Sequence, residues 1–584
     1  MAKKVNASPI NNRTLNGVAL RRSPLDKGRL IVFQSPATKS LRFYCYVQVF
    51  LCSPQLPSTL CGEGLGVRYY LCRMDAKKVR VRFAPSPTGG LHLGGVRTVL
   101  FNYLFAKHFG GDFILRIEDT DQTRFVEGAE EYIFNCLEWC GLVPDESAVH
   151  GGPYGPYRQS ERKPLYLEYA EQLVKQGHAY YAFDTPQELE EMRTKFKTKE
   201  NPSPQYNHEL RGYMRNALTL GEAEVAALLA TGTPYVIRIK MPEHEEIRFT
   251  DMIRGEVSFD SSLSDDKVLL KADGMPTYHL AVVIDDYLMK ITHAFRGEEW
   301  LPSAPAHVLL WKYLFGLENM PQWAHLPLIL KPEGNGKLSK RDGDRLGFPV
   351  FAMDWTDPRT GEAATGFKER GFLPEAFINM LAALGWNDGT AQEIFTLDEL
   401  VEKFSMDRVH KGGAKFDFEK AKWFNQEWIK RLPVTHYAAK VKGMFAEKGI
   451  AIEDDAKFYT VLEMVKERCI LLPDFVQQAS FFFLAPVEID TNSIKPKWTA
   501  QKNQFFIELI RAYELIPYWQ HDDLEKEFKE MAAAHQIKPG DLLLPLRIML
   551  VGGKFGPGVF DIATIIGKED TLARIKHTLG LLEA

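Results

Sequence analysis

Val79 to Ile117 reads VRVRFAPSPTGGLHLGGVRTVLFNYLFAKHFGGDFILRI, and the order of its patterns decides the fold. Val79, Val81 and Phe83 alternate with Arg80 and Arg82 at the two-residue period of a strand. Ala84 to Gly90 is a Pro/Gly turn. Leu93, Val96, Leu100, Tyr103 and Leu104 then recur at helical spacing until Gly110-Gly111 stops them. Phe113-Ile114-Leu115-Arg116-Ile117 reads as a second, buried strand. Strand, glycine-rich turn, helix and strand make a βαβ unit, so the chain is of the α/β class. A parallel sheet follows, with ligand at the carboxyl ends of its strands.

Outward from this unit, helices are expected over Glu127–Cys140, Glu161–Gln176 and Thr185–Thr198, and strands at Tyr235–Met241 and Glu246–Phe249. A second βα-type pattern is expected at Tyr278–Asp286 (YHLAVVIDD) and Lys290–Arg296. Beyond about Gly371 the pattern is helical nearly to the end. There Phe416, Phe418, Trp423, Phe424 and Trp428 read as helix core rather than a base-stacking platform.

The chain has 584 residues, 45% hydrophobic and 25% charged, the composition of a soluble globular protein. At roughly 150 residues per domain it holds about four domains. No run approaches the ~18 apolar residues of a membrane span. The formal charge of −4 is unevenly shared. Residues 1–73 carry 11 Lys and Arg against only Asp26 and Glu63, or +9, which leaves −13 for the remaining 511 residues. Four of the seven cysteines, Cys45, Cys52, Cys61 and Cys72, fall in that first segment; Cys136, Cys140 and Cys469 follow. An odd count fits a reducing compartment, and the early spacings match no zinc pattern. The segment is Arg-rich and acid-poor like a transit peptide, with one β-rich piece from Leu41 to Cys52. It is expected to be a poorly ordered extension, or to lie upstream of a true start at Met74.

Two stretches carry chemistry. Ser86-Pro87-Thr88-Gly89-Gly90-Leu91-His92-Leu93-Gly94-Gly95 sits at the strand–turn–helix junction. Glycine lets backbone approach a ligand, and a helix N-terminus favours phosphate oxygens. His92 in the first turn can donate to a phosphate as negative charge develops there. The plainer alternative is a tight turn with a capping histidine. About 240 residues later comes Lys337-Leu338-Ser339-Lys340-Arg341, flanked by Gly334, Gly336 and Gly343. Such a loop suits a mobile clamp for a polyphosphate leaving group.

HLGG and KLSKR in this order on an α/β background resemble the paired signature of class I aminoacyl-tRNA synthetases. Arg82-Phe83-Ala84-Pro85-Ser86-Pro87-Thr88-Gly89, Arg116-Ile117-Glu118-Asp119-Thr120-Asp121, Gly274-Met275-Pro276-Thr277-Tyr278 and Gly297-Glu298-Glu299-Trp300 narrow the resemblance to bacterial-type glutamyl-tRNA synthetases. It runs from about Lys78 to the C-terminus, where Arg547 to Pro557 and Gly567-Lys568-Glu569 resemble the family's last helical domain.

The resemblance implies a Rossmann-like catalytic domain (74–160 and 265–325) with an inserted acceptor-binding domain (161–264). A KLSKR and stem-contact domain (326–410) and an all-helical anticodon-binding region (411–584) would follow. It implies activation of L-glutamate by ATP with Mg²⁺, then transfer to the 3′ end of tRNA(Glu), by a cytoplasmic monomer without membrane partners. Thr88, His92, Gly94, Gly95, Lys337 and Lys340 would meet ATP, with His92, Lys337 and Lys340 catalytic. Arg82 and Arg296 would take the glutamate carboxylates, Tyr278 a further hydrogen bond and Glu118 the ammonium, with Ala84 and Ser86 beside the amino acid. Which arginine takes which carboxylate stays open, and internal ion pairs are an equal reading for Arg116 and Asp119.

Three departures stand out. Four residues after Tyr278 the family often has Asn, here Val282, so one polar pocket contact is expected to be missing. Ala179 to Asp184 (AYYAFD), where some members bind zinc, has no cysteine, so no zinc is expected; Cys136 and Cys140 read as a structural pair. Leu346 to Gly366 looks like an insertion after KLSKR.

A net −13 is awkward for a tRNA binder, but local basic stripes suffice. Lys411, Lys415, Lys420, Lys422, Lys430 and Arg431 are candidates, with solvated helix faces the plainer reading. Among rivals, a glutaminyl-tRNA synthetase should end in two β-barrels, whereas this C-terminal third reads helical. A tRNA-modifying paralogue would lack that third, and a small-metabolite nucleotidyltransferase would be much shorter. A non-catalytic tRNA binder would be expected to have lost His92 or Lys340. Charging of tRNA(Gln) as well stays open.

Overall fold

The computed structural model describes residues 78–583, together with the backbone of four short strands nearer the start. The chain divides into two units, Met1–Met74 and Asp75–Ala584. In the first, Thr14–Leu15, Val18–Arg22, Arg29–Val32 and Cys45–Val47 pair antiparallel in chain order, the last inside the β-rich Leu41–Cys52. The other expectations for this segment, its four cysteines included, lie outside the described residues.

The second unit is organised by a six-stranded sheet. Its strands are β1 (Arg80–Phe83), β2 (Asp112–Leu115), β5 (Glu246–Asp251), β6 (Gly255–Asp260), β8 (His293–Gly297) and β9 (Gln322–Leu326), in the order β6-β5-β9-β8-β1-β2. All neighbours run parallel except the edge strand β6. Helix α1 (Leu93–His108) crosses from β1 to β2 as the first βαβ unit requires. From β1 the sheet grows through β2 on one side and β8 on the other. The strands' carboxyl ends around β1 and β8 are therefore the place for a ligand crevice.

Strand β1 is covered on both faces. Val81 is fully buried, yet Arg80 and Arg82, which alternate with it as solvent-facing residues would, are only 7% and 4% exposed. Arg80 pairs with Glu146 (2.6 Å) and Asp112 (2.8 Å), and Arg82 reaches Asp286 (3.0 Å). A central parallel strand has no wet face, so its polar alternation encodes ion pairs instead.

A second, antiparallel sheet joins β3 (Ala179–Ala182), β4 (Val236–Ile239) and β7 (Val268–Leu270) in the order β7-β4-β3. It shares an apolar cluster with α3 (Lys163–Lys175), α6 (Tyr278–Leu288) and α7 (Ala304–Leu314). The sheets do not respect the expected 264/265 boundary. β5 and β6, inside 161–264, belong to the large sheet, whereas β7, beyond 264, belongs to the small one. From α9 (Pro374–Ala383) onward the chain is helical down to Lys568–Glu583, apart from a two-residue strand, Ala414–Lys415, that pairs with Ile329–Leu330, and Phe416, Phe424 and Trp428 are buried as core.

The second βα-type pattern is inverted. Tyr278–Asp286 is not a strand but most of α6, and the following strand is β8, where Lys290–Arg296 was read. The run of Val282, Val283 and Ile284 fits a buried strand or a buried helix equally well, and only length separates the two. Two aspartates, Asp285 and Asp286, end this run at 0% and 3% exposure, facing buried arginines.

Candidate active site

A cleft of about 1080 Å³ opens at the carboxyl ends of β1 and β8. Eleven of the twelve residues singled out from the sequence line it: Arg82, Ala84, Ser86, Thr88, His92, Gly94, Gly95, Glu118, Tyr278, Arg296 and Lys337. Lys340 does not.

His92 is the N-cap of α1, and its Nδ1 accepts the Gly94 N–H at 3.2 Å. The capping reading is therefore correct, and it also fixes the tautomer. The proton must sit on Nε2, which is buried without a hydrogen-bond partner. Burial, with Lys337 nearby, lowers the imidazole to about 4. A neutral ring with one orphaned N–H donor thus faces the cleft. The two glycines after it differ. A Cβ on Gly95 would meet Leu91 Cδ1 at 2.7 Å, whereas one on Gly94 meets nothing closer than His92 Nδ1 at 3.7 Å.

KLSKR is only in part the glycine-flanked loop read from the sequence: Lys337–Ser339 follow Gly334 and Gly336 outside any helix. Helix α8 (Lys340–Leu346) begins within it, closed by a capping box between Ser339 and Asp342. Gly343 lies inside that helix, where a Cβ would strike Phe348 O and Val350 Cγ1 at 2.7 Å, so its smallness serves packing. Both lysines are held by carboxylates. Lys337 Nζ lies 2.6 Å from Glu299 at the cleft, and Lys340 Nζ lies 2.6 Å from Glu362 outside it.

Glu362 belongs to the Leu346–Gly366 stretch, which folds back over the HLGG turn. The Leu93 N–H donates to Val350 O at 2.8 Å, and Phe351 packs edge-on against His92, ring centroids 6.1 Å apart. Tyr132 Oη donates to Met353 O at 2.6 Å and its ring meets Trp355. Trp355–Thr356 and Ala363–Ala364 form a short hairpin that presents Glu362. This stretch therefore touches both phosphate-type motifs.

Behind Arg82 and Glu118, Arg116 is fully buried among Asp286 (2.8 Å), Glu118 (3.1 Å) and Asp285 (3.9 Å). Burial would raise the Asp286 carboxyl, but the charges of Arg82 and Arg116 outweigh it and hold the group below its ordinary range. Glu118 goes the other way, because burial wins over the same two arginines and raises its carboxyl. The ion-pair reading of Arg116 holds; Asp119 instead accepts the Ser160 N–H and hydroxyl. Arg82 is committed through Nε to Asp286. Arg296 differs from these arginines. Among the described residues no carboxylate lies within ion-pair distance of it, and its Nη2 is buried with no hydrogen-bond partner. Tyr278 accepts from Arg296 Nη1 at 3.1 Å, and Trp300 packs on the Tyr278 ring.

Sequence reasoning missed Asp285, Asp286, Asp251, His307 and His325, all buried behind the cleft. An acidic pair closing an apolar run was the available signal for the first two. Val282 points into the apolar core and is absent from the cleft lining, so its lack of polarity is a packing matter. Cys136 and Cys140 are likewise buried in the core. Of the basic candidates, Lys420, Lys422 and Lys430 pair with Glu393, Glu419 and Glu427, while Lys411, Lys415 and Arg431 are exposed.

Two family models match in tandem. The catalytic domain of class I tRNA synthetases (E and Q) covers residues 78–423, and an anticodon-binding domain covers 421–579. The glutamate–tRNA ligase of Cytophaga hutchinsonii is 51% identical over 508 residues, 86% of this chain and 97% of that one. That of Phocaeicola vulgatus is 50% identical over 516 residues, 87% and 100%. Among solved structures, a glutamate tRNA ligase from Elizabethkingia meningosepticum in complex with its amino acid superposes with a TM-score of 0.83. It is 49% identical and covers 87% of this chain and all of that chain. A chain that shares half its residues with these ligases over their whole length, and carries both domains in order, belongs to the glutamate–tRNA ligase family of class I aminoacyl-tRNA synthetases.

Proposed function

We propose that the cleft activates L-glutamate with ATP and passes it to the 3′ end of tRNA(Glu). The α-carboxylate oxygen attacks the α-phosphorus, the bond to the β-phosphate oxygen breaks, and pyrophosphate leaves. A terminal ribose hydroxyl then attacks the carbonyl of the mixed anhydride and AMP leaves. Neither step needs an enzyme nucleophile; alignment and charge stabilisation suffice. His92 Nε2–H donates to a phosphate oxygen, with Thr88, Gly94 and Gly95 letting the nucleotide lie against the turn. Lys337 and Lys340 exchange Glu299 and Glu362 for the leaving polyphosphate. Glutamate lies between Arg82, Arg296 and Tyr278, with its ammonium toward Glu118 and its backbone along Ala84 and Ser86. Mg²⁺, where bound, would be held chiefly by the nucleotide phosphates and would neutralise charge developing there; among the described residues no three His, Cys, Asp or Glu side chains gather as a metal cage.

The observation that carries this reading is the pair of orphaned buried donors, His92 Nε2 and Arg296 Nη2, lining one cleft. One matches a phosphate, the other a carboxylate. For glutamine, the side-chain amide has only one acceptor oxygen to offer an arginine that only donates, and its NH2 group would be left facing donors, which is disfavoured. The test is ATP–pyrophosphate exchange with glutamate or glutamine, with and without tRNA. Exchange is expected with glutamate only when tRNA is present. Exchange with glutamine, or with glutamate and no tRNA, would overturn the reading.

A further inference from the structure

Arg296 is held from behind by histidines rather than by acids. Its Nε donates to His325 Nε2 at 2.9 Å and its Nη1 to His307 Nδ1 at 3.0 Å. His325 Nδ1 in turn lies 2.6 Å from Asp251 Oδ2, and His307 Nε2 lies 3.1 Å from His279 Nδ1. Asp251, His307 and His325 are at most 1% exposed. Beneath the guanidinium lies the Trp323 ring, 4.7 Å from its carbon.

The proton positions follow without further assumption. Arginine can only donate and a carboxylate can only accept. His325 therefore carries its proton on Nδ1, toward Asp251, and accepts on Nε2. His307 must accept on Nδ1, so its proton sits on Nε2 and points to His279. Both rings are neutral, as their burial beside a cation requires; burial, reinforced by Arg296, pushes His307 well below the usual range, and burial lowers His325 too. Asp251 is itself tied by the N–H groups of Ile253 and Arg254, so the chain ends on fixed backbone.

We infer that His307 and His325 are positioning residues for the amino-acid step: they lock the Arg296 guanidinium with Nη2 aimed at the cleft, using neutral acceptors that leave its charge for the substrate carboxylate. Had the acceptors been carboxylates, as they are for Arg82 and Arg116, the positive charge would already be matched. This inference rests on the reading that Arg296 receives glutamate.

The experiment uses amides as misplaced or well-placed acceptors in the full-length chain. Glutamine puts its carbonyl oxygen near the Nε2 position of a histidine, and asparagine near Nδ1. His325 accepts on Nε2 and His307 on Nδ1, so the preferred amide should cross over. His325→Gln and His307→Asn are expected to keep the KM for glutamate within about threefold of wild type. His325→Asn and His307→Gln are expected to raise it about tenfold, the effect of one lost hydrogen bond to a charged group. In all four, kcat and the KM for ATP should change little. A space-filling role predicts the same amide to be better at both sites, and that outcome would overturn the inference, as would equal rises in both KM values. Arg296→Ala is the control. If it leaves the KM for glutamate unchanged, the placement of glutamate is wrong; if it raises that KM while the four amide variants do not differ, only the positioning role fails.

Discussion

His293 opens β8 at the end away from the cleft, its ring 4.7 Å from that of Phe105 and its Nδ1 2.9 Å from Thr292 Oγ1. Burial among aromatic rings lowers it from 6.5 to about 4, with no acid to compensate. The folded protein therefore keeps the ring neutral where the unfolded chain protonates it. The unfolded state binds more protons below about pH 6.5, so stability falls as pH drops toward 4. With these two values, the contribution changes by about 1 kcal/mol between about pH 7.5 and about pH 5.5. Other groups titrate too, so the measurement compares wild type with His293→Gln by urea unfolding at both pH values. The fixed effect of the substitution cancels in the difference. Wild type is expected to lose about 1 kcal/mol more than the variant over this interval. Equal losses would mean that the ring is protonated in the folded state and that burial does not control it.

Gly94→Ala fills space that the protein itself leaves open, so urea stability should hold or rise by up to ~1 kcal/mol through helix propensity. The KM for ATP should rise about tenfold with that for glutamate unchanged; an unaltered KM for ATP would show that phosphates do not pass this turn. Glu362→Gln frees Lys340 from a half-exposed ion pair worth about 0–1 kcal/mol. The KM for ATP should fall about twofold at low salt, with the difference vanishing at high salt. No change at low salt would remove Glu362 from any account of ATP binding.

The first βαβ unit was legible because glycine and proline punctuate it sharply and its periods change from two to 3.6. Tyr278–Asp286 was not, since an apolar run of that length carries no period of its own. Glu246–Phe249 reads correctly as a strand, which runs on to Asp251, but which sheet it joins depends on Trp323 pairing with Asp251, a contact invisible along the chain. The site divides the same way. His92, Arg82 and Arg296 sit in motifs at strand ends, where loop chemistry is concentrated. His307 and His325 lie inside apolar stretches, APAHVLL and QWAHL, where a lone histidine has no local signature. Their meaning comes from what packs across from them, and the same holds for Lys340 and its partner Glu362, 22 residues away.

The hold of Glu299 and Glu362 on the two KLSKR lysines bears also on how a turnover ends. A clamp built of bare cations would cling to pyrophosphate after the bond has broken, and release would become slow. Here each ammonium has a tethered anion within 2.6 Å, at high local concentration. On the proposed function, carboxylates that never leave the molecule would displace the departing product and return the lysines to their starting partners, so the protein would carry its own eluent.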